Sequence, residues 1–438
     1  MTLPSPSPSP SVSSPPSVPP LAAAIGLDWA SDHHDIALQP LAPAAGPVEA
    51  CRLAQTPAAL RAWLTTLEQR FGGQPVGIAL ETSRGPLVHA LLEAPFVVLY
   101  PINPRSLRRF RETFSPNGAK DDAPDARLLL ALLVQHRERL LPWRPEDART
   151  RLLGRLVEQR RAAIGLRTQL VLQLQATLAA YFPQALAWAG DDLASPMACA
   201  FLQQWPTLEA LQRARPSTVR QCYTRHGCRQ AARIATRLAE MHDAVPLTRD
   251  LAVVTSSVLQ LQLLVRQLEA LRPSLALLER AIAEQFAAHD EGALFASFPG
   301  AGAALAPRLL VAFGSDRTRF PSAQAMQQHT GIAPITRRSG RQQQVTWRWA
   351  TSTFLRQTFH EFAQHSLPHC PWAATFYAHQ RRRGKTHHAA VRALAFKWIR
   401  IIWRCWQDHQ PYDNARYERA LEHRGSPLHS LLAPQATT

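Results

Sequence analysis

Three things are scarce in this 438-residue sequence: paired cysteines, lysine and long apolar runs. There are six cysteines, none in a CxxC pair. Cys222 and Cys228, with His226 between them, are the one tight group, short of the about four ligands a zinc site needs. Free thiols in a reducing compartment are the expectation. No run reaches the roughly 18 consecutive apolar residues of a membrane span. Residues 1–20 carry no positive charge, and the apolar stretch 21–27 is cut by Asp28, which argues against a secretory signal. These absences lead us to expect a soluble, cytoplasmic protein without a membrane partner. Lysine occurs only at positions 120, 385 and 397.

Arginine supplies the rest of the 49 basic residues, against 32 acidic ones, for a formal net charge of +17. Guanidinium groups bind phosphate bidentately and are weakly hydrated. The excess is concentrated: residues 331–420 hold 15 Lys/Arg and 4 Asp/Glu. Such a footprint suits a polyanion such as the nucleic-acid backbone.

Along the chain, residues 1–20 read as a disordered Pro/Ser tail. From 21 to 140, strands alternate with helices. AAAIGLDWA and DIAL form a hairpin, 39–50 a loop, 56–71 a helix, VGIAL (76–80) a buried strand, 86–92 a short helix and FVVLY (96–100) a strand. A basic helix SLRRFRETF (106–114) and a helix from about Asp122 follow. This is an α/β domain. Residues 141–290 form a helical region. Heptads run through Leu153, Val157, Ile164, Val171, Leu174 and Leu178, and again through Leu264, Leu268, Leu271, Leu275, Leu278 and Ile282. They suit a coiled coil or an ordinary packed helix pair. Residues 291–406 form a mainly helical third domain, opened by a Gly300/Gly302 turn that suits either phosphate contact or a plain helix start. Residues 407–438 read as a tail, loosely ordered from Gly425.

Two constellations carry chemistry. Asp28 ends the first strand, Glu81 follows the VGIAL strand, and Asp122 and Asp125 share one face of a helix start. In an RNase H-like sheet these acids converge at one edge, where carboxylates hold Mg²⁺ for phosphodiester cleavage. Asp122 also suits a plain N-cap, and Asp32 and Asp35 compete with Asp28. In the second, Ser339 lies among Arg337, Arg338 and Arg341. An electropositive field activates a serine and neutralises a phosphoryl group, although a basic surface turn has the same appearance. Arg348 and Arg356 follow, then Arg381, Arg382, Arg383 and Lys385, all candidate phosphate contacts. Interleaved bases and aromatics at Trp347, Trp349 and 396–406 suit nucleic acid, while apolar members such as Ile399 and Ile402 read as helix core.

These segments, taken in order, resemble the bridge-RNA-guided insertion-sequence transposases, which carry an N-terminal DEDD (RuvC-like) domain and a C-terminal serine-bearing transposase domain. The resemblance runs through IGLDWASDHHDIAL, ALETSRGPLVHALL, VLYPINPRSLRRFRETF, AKDDAPDARLLLALL, FPGAGAALAPRLLVAFGSDRTRF, GIAPITRRSG and RRRGKTHHAAVRALAFKWIRIIW. It implies an RNase H-like (RuvC-like) α/β domain, a helical/coiled-coil region and a mainly helical C-terminal domain. It implies metal-binding acids at Asp28, Glu81, Asp122 and Asp125, with Mg²⁺ as cofactor, and a nucleophile at Ser339. It further implies donor and target duplex DNA, a structured guide RNA and a dimer assembling to a tetramer at the nucleoid. The segment QQQVTWRWATSTFLR departs from the family pattern by lacking a Lys-Gly-Asn-like stretch. Two rivals remain: a RuvC-like nuclease with a structural Ser339, and an inactive nucleic-acid binder.

Overall fold

A computed structural model describes residues 20–81, 85–114, 125–140, 142–143, 145–339, 342–348 and 351–432. The chain divides into two units, Met1–Pro145 and Glu146–Thr438. The 1–20 tail lies outside the described residues except for Pro20.

The first unit runs β1 (Ala23–Asp28), β2 (His33–Pro40), β3 (Glu49–Ala54), α1 (Pro57–Phe71), β4 (Val76–Leu80), α2 (Pro86–Leu91), β5 (Val97–Pro101), α3 (Pro104–Phe114) and α4 (Asp125–His136). Its five-stranded sheet has the order β3-β2-β1-β4-β5. β1 pairs antiparallel with β2 and parallel with β4, and β4 pairs parallel with β5. This is the mixed α/β, RNase H-like architecture expected. The central strands are apolar, β1 up to its terminal Asp28 and β4 throughout, because both faces are covered. Ala23, Ile25 and Leu27 pack with Leu67 of α1 and Leu87, Val88 and Leu91 of α2. Ala24 and Ala79 pack on the other face with Ala126, Leu129, Leu130 and Leu133 of α4. β3 escaped the sequence reading: Leu53 alone of its residues is buried, so it offers no alternation, and its charged residues suit a sheet edge.

The second unit begins with α5 (Ala148–Tyr181). A helical cluster follows: α6 (Ala185–Trp188), α7 (Pro196–Gln204), α8 (Leu208–Gln212), α9 (Pro216–Arg225) and α10 (Ala231–Asp243). Then come α11 (Leu251–Ala287), α12 (Gly292–Ala296), α13 (Gly302–Phe313), α14 (Ala323–His329), β6 (Ile335–Ser339), β7 (Gln342–Thr346), α15 (Thr353–His365), α16 (Pro371–Arg382), α17 (His387–Gln407), α18 (Asn414–His423) and α19 (Pro427–Leu432). The unit is mainly helical, as expected.

α5 and α11 lie antiparallel, since Arg160 bonds Glu279 at 2.7 Å and Thr150 meets His289 at 2.9 Å. Their heptad residues Leu153, Val157, Leu174, Leu178, Leu264, Leu268 and Ile282 are buried in the chain's own cores. That is the packed-helix-pair alternative. Although no run of consecutive apolar residues is membrane-length, α11 as a whole is long and apolar enough by length and composition to cross a membrane; its most apolar window has mean hydropathy 1.3 and is 22% buried.

Of the two readings of the Gly300/Gly302 turn, the plain helix start holds, since α13 begins at Gly302; two other expectations need revision. Gly300 has φ of 78°, and a Cβ there would lie 2.4 Å from the His365 carbonyl oxygen, so this glycine serves close backbone packing. The aromatics of 396–406 belong largely to the core: Trp398 and Trp406 are fully buried, with indole N–H groups donating to Ser366 Oγ and the Gly314 carbonyl. A helix with a broad apolar face shows the same base–aromatic interleaving as a nucleic-acid surface. Residues 407–432, read as a tail, carry α18 and α19, whose Leu421 and Leu428 are buried in that same core.

Candidate active site

Asp28 is the last residue of β1, and Glu81 follows β4 directly. The register pairs Leu27 with Leu80, so the two acids come next on neighbouring parallel strands, about 4.8 Å apart by strand spacing. Strand alternation puts Asp28 on the face of Ala24 and Gly26, and Glu81 on the face of Gly77 and Ala79. α4 covers that face, and Asp125 is its first residue. Gly26 makes this possible: a Cβ there would stand 1.8 Å from the Ala126 carbonyl oxygen and 2.5 Å from the Leu130 amide nitrogen. The helix backbone therefore lies directly on the strand, and its acidic start comes to the strand ends.

Asp28, Glu81 and Asp125 lie near enough to influence one another's charge. Burial raises the Asp28 carboxyl above its ordinary value, and the charges of Asp125 and Asp35 add to this. Glu81 is raised likewise, by burial first and then by Asp125 and Asp28. Arg111 opposes both shifts and forms an ion pair with Asp125. Asp35 lies opposite Asp28 in the antiparallel register, but Arg52 engages it at 3.1 Å. Asp32 is exposed in the turn. Asp28 is thus the strand-end acid that remains available. Asp122 lies outside the described residues.

An all-carboxylate donor set has the chemistry of a hard divalent cation site, and the mutually raised acids are short of positive charge. Among the described residues, however, no three His, Cys, Asp or Glu side chains stand close enough together to hold a metal ion. The Cys222/His226/Cys228 group falls under the same statement. Asp125 is engaged by Arg111, a residue the sequence reading missed. Its signal was present: Leu107 is buried, and Arg111 lies four residues on, on the same face of α3.

The second constellation lies in the second unit. β6 and β7 form an antiparallel hairpin with Ser339 opposite Gln342, at the end of β6 beside the turn. Arg338 is exposed. Arg341 lies outside the described residues, as do Trp349 and the side chains of Arg337 and Ser339. The base of the hairpin is held on the helices. The Arg392 guanidinium of α17 lies 3.4 Å from the centre of the Trp347 ring, a cation–π contact. Thr351 Oγ1 and Arg356 Nη1 both donate to the Arg348 carbonyl, at 3.0 and 3.2 Å. Gly331, with φ of 73°, lets Thr351 approach where a Cβ would stand 2.1 Å from its hydroxyl oxygen. Arg381, Arg382, Arg383 and Lys385 are exposed at and just beyond the C-terminus of α16.

Comparison with known proteins gives this geometry its setting. A family model described as Transposase matches residues 25–183, and one described as Transposase IS116/IS110/IS902 family matches residues 292–378. The mini-circle putative transposase for IS117 of Streptomyces coelicolor is 30% identical over 404 residues, covering 90% of this chain and 96% of that protein. The insertion element IS900 42 kDa protein of Mycobacterium paratuberculosis is 28% identical over 377 residues, covering 83% and 91%. The insertion element IS110 43.6 kDa protein of S. coelicolor is 28% identical over 386 residues, covering 85% and 92%. The chain belongs to the IS116/IS110/IS902 family of DNA transposases, with an N-terminal RuvC-like DEDD domain and a C-terminal transposase domain.

Proposed function

We propose that this transposase cuts and rejoins DNA strands through a covalent serine intermediate, assisted by a Mg²⁺-binding carboxylate site. The observation that carries the reading is the placement of Asp28 and Glu81 at register-neighbouring strand ends under the acidic start of α4. Asp28, Glu81 and Asp125, with Asp122, would hold the ion. Bound there, Mg²⁺ supplies Lewis-acid stabilisation of charge on phosphoryl oxygens.

Ser339 would attack phosphorus. Its hydroxyl loses a proton, the Oγ–P bond forms, and the bond to the leaving deoxyribose oxygen breaks, that oxygen taking up a proton. Rejoining runs the same exchange in reverse on the second DNA end. Arg337, Arg338 and Arg341 would neutralise the phosphoryl group. Arg348, Arg356, Arg381, Arg382, Arg383 and Lys385 would hold the backbone on either side.

The donor and target duplexes would be chosen by base pairing with a structured guide RNA, leaving backbone contacts and chemistry to the protein. The arginine-rich charge supports a polyanion partner of either kind. Exposed Leu166 and Leu172 on α5 and Leu259, Leu263 and Leu277 on α11 supply an apolar surface for a coiled-coil contact between copies, through a dimer to a tetramer. The working place of such an enzyme is the nucleoid in the cytoplasm.

The test is a trapping experiment. The protein is incubated with DNA carrying an element end, denatured, and assayed for DNA attached to protein through phosphoserine. The adduct should form with Mg²⁺ and vanish in Ser339→Ala. Cleavage that survives Ser339→Ala without any adduct would instead establish the hydrolytic nuclease. Binding with no strand cleavage would establish an inactive binder.

A further inference from the structure

We infer that the helical cluster α6–α10 carries a second DNA-binding surface, an arginine patch on α9, α10 and the connections before each, which holds the phosphate backbone of a duplex away from the Ser339 hairpin. Between residues 210 and 239 there are seven arginines and no Asp or Glu. Arg237 is the buried one. It donates to the Ala187 carbonyl at 3.0 Å and lies 5.3 Å from the centre of the Tyr223 ring, whose hydroxyl donates to the Trp188 carbonyl at 2.9 Å. These contacts tie α9 and α10 to α6. The other six, Arg213, Arg215, Arg220, Arg225, Arg229 and Arg233, are exposed. On α9 the buried residues are Val219, Cys222 and Tyr223, so helical spacing turns Arg220 and Arg225 to the opposite face.

Several arginines elsewhere in the unit meet carboxylates, Arg160 with Glu279, Arg167 with Asp192 and Arg404 with Asp408. None of the six is in an ion pair among the described residues. Like charge without a counter-charge destabilises the compact state by self-repulsion, and a bound polyanion relieves it. Tyr223 is the one Phe, Tyr or Trp between residues 206 and 250, and it is buried. With no such ring to stack on unpaired bases, the patch suits the backbone of a duplex, and in a DNA transposase family that duplex is DNA. The cluster sits at the other end of the α5–α11 pair from the domain that bears the hairpin. Leu153, Val157 and Ile282 pack in that domain's core, and Leu174, Leu178, Leu264 and Leu268 in the cluster's. From Val157 to Tyr181, α5 rises about 36 Å, close to one turn of duplex. The patch therefore extends the DNA contact by about a turn, and it requires neither the serine nor the metal of the proposed chemistry.

The experiment compares the full chain with two triple variants, one carrying Arg220→Gln, Arg225→Gln and Arg229→Gln, the other Lys at the same three positions. Fluorescence anisotropy follows binding to a duplex about four turns long across a series of salt concentrations. The Gln variant should bind at least about tenfold more weakly at physiological salt, and its slope of log K against log salt should be shallower by about 2.7, or 0.9 for each of three phosphates. The Lys variant keeps the charge and should keep the slope. Melting temperature should not fall in either, since all three side chains are exposed. Hydroxyl-radical footprints of the Gln variant should lose about one turn of protection and retain the rest. Unchanged affinity and slope in the Gln variant would overturn the inference, as would an equal loss of slope in the Lys variant. If the Gln variant binds duplex DNA as before and loses a hairpin RNA instead, the patch is an RNA surface and the inference fails.

Discussion

Replacing Gly26 by alanine tests whether backbone contact between α4 and β1 brings Asp125 toward the strand-end acids. The new Cβ would stand 1.8 Å from the Ala126 carbonyl oxygen and 2.5 Å from the Leu130 amide nitrogen, where real Cβ contacts essentially never fall under 3.0 Å. Both obstacles are helix backbone, so no side-chain rotation relieves them, and α4 has to move off β1 by about 1 Å or more. Overpacking of this kind costs about 3 kcal/mol, at the upper end of its usual range. Hydrogen exchange of amides in β1 and α4 should accelerate by about a hundredfold, since 1.4 kcal/mol is tenfold. Because Ala126 adjoins Asp125, the displacement reaches that acid directly. Under the proposed function, Mg²⁺ demands near-ideal octahedral geometry, and its affinity should fall at least about tenfold. Gly77→Ala is the control on the same sheet face. Its Cβ meets the ends of the Leu21, Leu133 and Tyr100 side chains, the nearest at 2.5 Å, which can shift. It should cost about 1 kcal/mol and leave metal affinity unchanged. If Gly26→Ala matches the unaltered chain in exchange rate and metal affinity, the close seating of α4 on β1 is wrong, and with it the account of how Asp125 reaches Asp28.

Two further outcomes concern the second unit. Asp147 caps α5, accepting from the Arg149 and Thr150 amides and from the Thr150 and Ser315 hydroxyls. Burial alone would raise its carboxyl, but these hydrogen bonds overcome it and bring it from 3.8 down to about 2. A depressed carboxyl contributes stability above its unfolded value that is lost as pH falls through the folded one. Asp147→Ala should therefore cost about 1 kcal/mol at neutral pH, after discounting for exposure, and the difference should shrink between pH 4 and about 2. Hydrogen exchange in the first turns of α5 measures it, and a pH-independent difference would refute the cause given. Arg392→Ala removes the cation over Trp347, a contact worth about 1 kcal/mol. It should lower the yield of the Ser339 adduct several-fold with little change in melting temperature, whereas Arg392→Lys should recover part of the yield. Equal adduct yields in all three would show that the hairpin base does not need this anchor.

The strand-end acids were legible because a buried parallel strand is a plain apolar run, and the residue that ends it is visible. AAIGLD and VGIAL announce both β1 and Asp28, and β4 and Glu81. What no run announces is the register that pairs Leu27 with Leu80 and so brings the acids side by side. β3 was hidden for the opposite reason, since an edge strand with one buried residue carries no period. In α17, periodicity was ambiguous: bases and aromatics at helical spacing look alike whether the rings face DNA or, as with Trp398 and Trp406, the core. Arg111 shows where the limit lies. Its place on the stripe of Leu107 could be counted along one helix, but its bond to Asp125 depends on how two helices approach across ten intervening residues of connection. Local pattern determines which side chains face inward; tertiary contact determines which charges meet there. Asp28 and Glu81 belong to the first class and the Arg111–Asp125 ion pair to the second, so that contact becomes visible only once the fold is known.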